Sequence, residues 1–546
     1  MNEQPIKQVR RWTRTAIALL GVFSMSISTF TGWAPSVQAA AAKTFFTDTA
    51  NSYAKEAIDL LVSEGIATGT SSTRFEPKKA VSRAEFAAFA VRLLGLEPVS
   101  NDINPYSDIS KSAWYYGSVA AMTNLSILEG KGQGTFQPGA SITREEAAAL
   151  LSRMLKRQST SSASLNALYK DAASISDWAR PYVQNVYVLG LMQGSDGLFR
   201  PKDKVTREEA AMMLSAVLQK PVWYSQLKGT VSEGIQLGWQ YDSTTSEFKQ
   251  QVARSPVNTL VPRWFFLNGS MQLTNQTDSS LLNWAEATGR QVWPLLGNRS
   301  NAALTHQMLS SATNRNFVIS QITAYVKQYG LEGINVDFEN VLPEDRANMT
   351  VFITALTASL HAAGAVVSVD VSPDLGTDWT EAFDYAALGE VADYMILMGY
   401  EEHWNGSPNA GSVASLSWLE QALDTMLSQM DSAKIIVALP LYTRDWSLLT
   451  PATGSWDITL GEQGSRSRTA GTTKHWDDDV WQYVLKYVAN GTSRAIWAEE
   501  ARSLSVKTGM ISERGIAGLA YWYMGGETED VWKAISNAIR FESYRF

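Results

Sequence analysis

Between residues 43 and about 220 one pattern occurs three times at a spacing of about sixty residues, which restricts this half of the chain to an array of like modules. Phe46-Thr-Asp48, Tyr106-Ser-Asp108 and Tyr169-Lys-Asp171 open the copies. Each is followed by an amphipathic helical stretch and a Gly-bearing turn ending on Phe75-Glu-Pro77, Phe136-Gln-Pro138 or Phe199-Arg-Pro201. Ser82-Arg-Ala-Glu85, Thr143-Arg-Glu-Glu146 and Thr206-Arg-Glu-Glu209 then start a second helix in each copy. In the first copy Phe86, Phe89, Ala90 and Leu93 recur at helical spacing and mark a buried face. The hydroxyl and the Glu of each start form a capping box, which accounts for both. The Arg between them is different, because a cation in the first turn opposes the helix dipole by up to about 1 kcal/mol. Its recurrence as Arg83, Arg144 and Arg207 points to anion recognition assisted by helix N-terminal amides. An Arg that is solvated or paired with a neighbouring carboxylate is the alternative.

Beyond a short connector, composition shifts toward Trp and toward alternating strand and helix signals. Strand patterns fall near 235–241, 259–266, 291–296, 333–339, 365–371, 394–400, 434–441 and 517–523, and apolar helical patterns such as 317–329 and 347–363 separate most of them. Alternation of this kind over about 310 residues predicts a (β/α)8 barrel. The expected fold is therefore multidomain: an all-α repeat bundle of three copies, then an α/β TIM (β/α)8 barrel. The boundaries read as 1–39 export signal, 43–98, 103–158 and 168–220 repeats, 221–231 linker and 232–546 barrel.

The fourth strand pattern carries the chemistry. In the segment 331–339 (LEGINVDFE), period-two alternation puts Asn335, Asp337 and Glu339 on one face and Ile334, Val336 and Phe338 on the other. An amide and two carboxylates on one face are costly to bury, and they make sense where that face opens into a site needing a proton donor beside a second acid. In a barrel of parallel strands the carboxyl ends carry the site, and Glu339 closes this strand. A half-exposed antiparallel strand with a solvated polar face is the alternative.

Lys7, Arg10, Arg11 and Arg14 precede an apolar run from about residue 16 to 30, and Val37-Gln38-Ala39 supplies a small-residue cleavage site. The run contains several Ser and Thr and is short for a membrane span, which disfavours an uncleaved anchor. Loss of residues 1–39 removes four cations and one anion (Glu3), taking the net charge from −8 to −11. Such a balance argues against nucleic acid or an anionic membrane surface as the main partner. With no cysteine, disulfides and thiolate metal sites are excluded, and an exported chain of this kind suits the envelope of a Gram-positive-type bacterium. His306, His361, His403 and His475 show no metal-ligand spacing, so no metal and no cofactor is expected.

Two resemblances follow from these motifs. The three copies resemble S-layer homology domains over about 175 residues. That likeness implies a pseudo-trimeric helical array that binds secondary cell-wall polymer, often carrying pyruvylated sugar. It would have Arg83, Arg144 and Arg207 grip the acidic sugar, while Asp48, Asp108 and Asp171, with Trp114 and Trp178, line the grooves between copies. The first copy has Tyr53 where the others have Trp. The segment 331–339 resembles the Asp-Gly-x-Asp-x-Asp-x-Glu signature of glycoside hydrolase family 18, with Glu332-Gly333 for Asp-Gly and Asn335 for the next Asp. The Asn form is similar to that of spore-cortex and cell-wall glucosaminidase relatives. Met398-Gly-Tyr400 is similar to the strand 6 element that contacts the acetamido group, and Trp522 to the strand 8 Trp beneath the sugar. The likeness implies that Glu339 protonates the glycosidic oxygen, that the substrate's own acetamido carbonyl attacks the anomeric carbon with net retention, that Asp337 holds the acetamido N–H, and that Tyr400 orients the carbonyl. A neighbouring carboxylate would help to keep Glu339 protonated.

The implied protein is a secreted, wall-anchored glycosidase acting on N-acetylglucosamine-containing polysaccharide, either peptidoglycan strands or chitin, with no membrane partner once the signal is cleaved. Trp239, Trp264, Trp293 and Trp404 lie on or just after strand patterns, where they would line sugar subsites or pack the core. Glu401-Glu402-His403-Trp404 looks like an extension of the bacterial wall branch. Asp370 and Asp374 read as loop-solvated or helix-capping acids rather than catalytic ones. Two other classes stay open: a lectin-like surface protein on the same barrel, and a purely structural S-layer protein.

Overall fold

The computed structural model describes residues 45–157, 165–376, 380–449 and 454–546; the expected export signal lies outside them. Each repeat contributes two helices, and the first helix of each copy packs on the second helix of another: Lys55–Ser63 on Arg207–Leu218, Tyr116–Asn124 on Arg83–Leu93, and Arg180–Val188 on Arg144–Met154. All three second helices start on a complete capping box, at Ser82, Thr143 and Thr206. A cap of this kind stabilises a helix by about 1 kcal/mol. The aromatic-x-Pro turn of each copy has its middle residue in the left-handed region, at Glu76, Gln137 and Arg200. Short antiparallel bridges just before the second helices (Ala80 to Thr206, Ser82 to Ser141, Thr143 to Lys204) join each copy to the other two.

The residues expected to be a connector are a helix, Pro221–Lys228, whose Trp223 and Leu227 are buried in the same apolar cluster as the repeats. That cluster also takes in Ala501, Ala534, Phe541, Tyr544 and Phe546 from the end of the chain. Asn537 exchanges hydrogen bonds with the backbone of Glu97, and Tyr544 Oη donates to the Leu94 carbonyl at 2.6 Å. Array and C-terminal half thus share a packed seam.

The second half is built on a largely parallel sheet of eleven strands: β1 Ile235–Gln240, β2 Thr259–Val261, β3 Phe265–Leu267, β4 Leu273–Asn275, β5 Gln291–Val292, β6 Leu295–Gly297, β7 Gly333–Asp337, β8 Val366–Val371, β9 Tyr394–Met398, β10 Ile435–Pro440 and, near the end of the chain, Gly518–Met524. Parallel pairing runs β3–β6–β7–β8–β9–β10, then through Gly518–Met524 to β1, β2 and β5, so the sheet curls. The strand expected over 259–266 is split in two around Pro262, and that over 291–296 around Trp293-Pro294, because proline has no N–H to donate to a ladder. Ile334, Val336 and Phe338 pack outward with helix residues such as Met349, Phe352 and Ile353, while Trp239, Phe266, Trp293 and Ile396 fill the inside.

One element has no counterpart in the expected barrel. Between β10 and the last parallel strand an antiparallel sheet is inserted: β11 Tyr442–Ser447, β12 Ser455–Thr459, β13 Thr473–Asp477, β14 Gln482–Ala489 and β15 Thr492–Ala498. The final parallel strand, Gly518–Met524, is then β16. A signal was present, since Asn490-Gly491 sits between two strand-like runs and both residues take positive φ, as a two-residue hairpin turn requires.

Candidate active site

A cleft of about 270 Å³ opens at the carboxyl ends of the parallel strands, with Trp239, Asp337, Glu339, Asp370, Met398, Tyr400 and Trp522 in its wall. Tyr241, Glu401, Tyr442, Asp457 and Tyr523 complete it. The sequence-derived group Asp337, Glu339, Tyr400, Trp522, Trp239 and Met398 therefore comes together from four different strands or strand ends. Trp404 is more than half exposed and does not line this cleft.

Asn335 is fully buried one strand step below Asp337. Its Oδ1 accepts from Trp239 Nε1 at 3.0 Å, and its Nδ2 donates to Ser368 Oγ at 3.1 Å and Asp370 Oδ1 at 2.7 Å. It ties Trp239 to the acid on β8, and it satisfies polar atoms that burial would otherwise leave costly.

Glu339 lies beyond the end of β7, where ladder bonds no longer hold the chain. The buried side chain of Asn298 takes over: its Oδ1 accepts from the Glu339 N–H at 3.1 Å and its Nδ2 donates to the Glu339 carbonyl at 2.7 Å. The side chain is aimed by Ser300, whose Oγ donates to Oε2 at 2.6 Å. Asn298 and Ser300 carry no motif signal of their own; only their place after β6, next to β7, reveals them.

Burial pushes the Asp337 carboxyl up to about 7; the charge of Glu339 adds to this, and Arg263 opposes it. Asp370 goes well above the usual carboxylate range, through burial and then the charge of Asp337, against the hydrogen bond from Asn335. The reading of Asp370 as a solvated or capping acid is corrected: it is a β8 residue, buried, and part of the cleft wall. Asp374 does lie outside the cleft, near Gln429 at 3.3 Å. Burial and the surrounding carboxylates hold the Tyr400 hydroxyl in its neutral, donating form. Its ring stacks at 24° to Trp522, with centroids 6.5 Å apart.

The inserted sheet closes one side. Arg444 of β11 pairs with both oxygens of Glu401 at 2.8 Å and with Asp457 at 2.5 Å, and Tyr442 donates to Glu401. Of the other residues in the Glu401–Trp404 stretch, Glu402 accepts from the N–H and hydroxyl of Ser415, just before the helix Leu416–Leu427, and His403 contacts the Ser412 carbonyl. Among the described residues no His, Asp and Glu group could hold a metal ion, and no helix is long and apolar enough to cross a membrane.

In the repeats, Asp48, Asp108 and Asp171 each accept two backbone N–H bonds of 2.7–2.9 Å from the aromatic-x-Pro turn of their own copy. They clamp the left-handed residue of that turn. Arg83, Arg144 and Arg207 are buried, each donating Nε to the carbonyl of the turn phenylalanine in another copy, Phe136, Phe199 and Phe75 respectively. Each guanidinium also lies over that ring at 4.5–5.4 Å. Neighbouring carbonyls, with Glu209 beside Arg144 and Glu85 beside Arg207, thus offset the cation's conflict with the helix dipole. Trp114, Trp178 and Tyr53 are exposed by 52–66%. Beside Tyr53, Lys78 bonds Glu208 at 2.5 Å, and beside Trp178, Lys202 bonds Glu145 at 2.6 Å. The equivalent positions near Trp114 are Gly139 and Ala84, so that groove lacks the pair.

The sequence model of Glycosyl hydrolases family 18 matches residues 237–527, and that of the S-layer homology domain matches 45–87, 105–148 and 168–211. An uncharacterized glycosylase, YvbX, of Bacillus subtilis is 26% identical over 317 residues, 55% of this chain and 90% of that protein. The cortical fragment-lytic enzyme of Bacillus subtilis is 26% identical over 314 residues, 54% of this chain and 71% of its own. Among solved structures, the Bacillus cereus spore cortex-lytic enzyme SleL superposes with a TM-score of 0.53 at 25% identity, over 57% of this chain and 75% of that one. A chitinase from Chromobacterium violaceum shares the fold at a TM-score of 0.52 and 22% identity, over 56% of this chain and 98% of its own.

Proposed function

Because this chain is a glycoside hydrolase belonging to glycosyl hydrolases family 18, with three S-layer homology repeats ahead of the catalytic half, we propose that it cleaves β-linked N-acetylglucosamine glycan with retention while tethered to cell-wall polymer. The catalytic half is read as a (β/α)8 barrel in which β2 with β3, and β5 with β6, each count as one interrupted strand. The observation that carries the reading is the convergence of Asp337, Glu339, Asp370, Tyr400 and Trp522 on one cleft.

In this reading a pyranose lies on the Trp522 ring and presents its glycosidic oxygen to Glu339, which gives up the proton. The acetamido carbonyl then attacks the anomeric carbon, so the glycosidic bond breaks as an oxazolinium forms, and water opens that ring with retention. Asp337, raised toward neutrality by burial, accepts the acetamido N–H and balances the positive charge as it develops. Tyr400, held neutral, donates to the carbonyl oxygen. Asn335 keeps Trp239 and Asp370 in place beneath them.

For the repeats, the exposed Trp114, Trp178 and Tyr53 are proposed to stack on sugars of a secondary wall polymer, with the acidic sugar drawn by Lys78, Lys202 and the field of the buried arginines. Export through the residue 1–39 signal and display on a Gram-positive-type surface belong to the same proposal. Incubation of the mature chain with labelled N-acetylglucosamine oligomers, followed by NMR of the first-formed anomer, tests the chemistry: β product supports it and α product refutes retention. Sedimentation with wall sacculi, before and after extraction of the secondary polymer, tests the tether.

A further inference from the structure

Beside the catalytic cleft lies a second groove, of about 730 Å³, that the mechanism does not use. Arg263, in the break between β2 and β3, and Arg299, just after β6, both line it with Phe266. The Arg299 guanidinium sits 4.1 Å from the Phe266 ring centre, and that of Arg263 sits 5.4 Å from the same ring centre and 5.1 Å from that of Tyr241. Two like charges therefore share one aromatic ring. Among the described residues neither guanidinium has an ion-pair partner, and Arg263 Nε is buried without a hydrogen bond.

The groove's own carboxylates do not neutralise them. Glu247 is bonded to the backbone and hydroxyl of Thr244, and Asp278 to Thr245 and the Ser280 N–H, both as helix caps. Asp242 stands exposed at the rim. A pair of arginine forks held on a shared ring without ion-pair partners, Arg263 half-buried and Arg299 open to solvent, is a receptor for a planar carboxylate.

The position of the pair says which carboxylate. Tyr241 lines the catalytic cleft and supports Arg263, Arg263 acts electrostatically on Asp337, and Ser300, next to Arg299, holds Glu339. The pair thus adjoins the reacting sugar. Chitin is uncharged and offers it nothing. We propose that Arg263 and Arg299 form a carboxylate-binding subsite, selecting glycan in which a sugar flanking the cleaved N-acetylglucosamine bears a 3-O-lactyl substituent, as in wall peptidoglycan. The proposal rests on the hydrolase reading above. The carboxylate is either the free lactyl group or one on a peptide amide-linked to it.

The test compares kcat/KM of the mature chain on peptide-free wall glycan, on peptide-bearing glycan, on each of these with its carboxyls methyl-esterified, and on N-acetylglucosamine oligomers of similar length. Wild type is set beside Arg299→Gln and the Arg263→Gln/Arg299→Gln double variant, with circular dichroism to confirm folding. The expected result is a preference for carboxylate-bearing over neutral glycan that falls at least tenfold in both variants, mainly through KM. Esterification should cost wild type a similar factor and the double variant nothing. A fall seen on peptide-free strands assigns the lactyl carboxylate; a fall confined to peptide-bearing strands assigns the peptide's. An unchanged preference in the variants, or no cost of esterification, overturns the subsite while leaving the hydrolase reading standing. No cleavage of any glycan by wild type overturns both.

Discussion

Asn335 donates to Asp370 at 2.7 Å from the fully buried position below Asp337, and this bond draws the Asp370 carboxyl down against the burial and the Asp337 charge that raise it. Asn335→Asp replaces the donor by a third carboxyl in the same buried row. Like charge added there raises the neighbouring carboxyls further. The acidic limb of the kcat/KM profile, assigned to ionisation of Asp337, is expected to move to higher pH with the reaction and its anomer unchanged. A profile identical to wild type would count against this electrostatic role.

Asp337 also links pH to stability. Its folded value of about 7 lies above the ordinary 3.8, so between these the folded chain holds a proton that the unfolded chain releases. The sign is therefore unfavourable: the contribution is absent below about pH 4, and stability is lost as pH rises toward 7. Asp337→Asn removes the penalty, so the gain in Tm over wild type should be larger at pH 8 than at pH 4. Equal gains at both would contradict it.

Ser300 acts on Glu339 through a 2.6 Å hydrogen bond. Ser300→Ala should lower kcat about tenfold, the factor expected for losing roughly 1.4 kcal/mol of orientation, with KM little changed. Ser300→Thr keeps the hydroxyl and should restore most of the rate. Loss of Tm without a kcat effect in the Ala variant would reduce Ser300 to a packing residue.

In the repeats, burial separates folding from binding. Arg207→Ala strips partners from the Phe75 and Thr68 carbonyls and from Glu85, and should cost on the order of 3 kcal/mol. Trp178→Ala, at an exposed ring, should leave Tm within a degree or two while weakening sedimentation with wall sacculi. Chemical denaturation and co-sedimentation of the two variants distinguish these roles, and a Trp178 variant that binds as well as wild type would remove that groove from the tether.

Much of this site is legible in the sequence, because period two carries Asn335, Asp337 and Glu339 to one face, and because strand ends collect Tyr400 and Trp522. What was hidden has physical causes. Asp370 looks like any acid near a strand end until the Asn335 amide is seen to reach it across the sheet. Asn298 and Ser300 act on Glu339 from another strand, about forty residues away in sequence, where local pattern has no reach. The inserted sheet, which brings Tyr442 and Asp457 to the cleft, follows β10 after a single residue, and its short strands stand out only once their antiparallel pairing is seen. Carbonyls of a neighbouring copy hold the repeat arginines, a contact between copies that no single copy reveals.

The most direct measurement is reducing-end release from peptide-free wall glycan and from N-acetylglucosamine oligomers by wild type and Glu339→Gln, with glycan affinity measured on both proteins. The account predicts steady release by wild type, a loss of at least about a thousandfold in the variant, comparable to removing a general acid, and glycan affinity within a few-fold. Release by Glu339→Gln at the wild-type rate would show that the proton comes from elsewhere and would contradict the account.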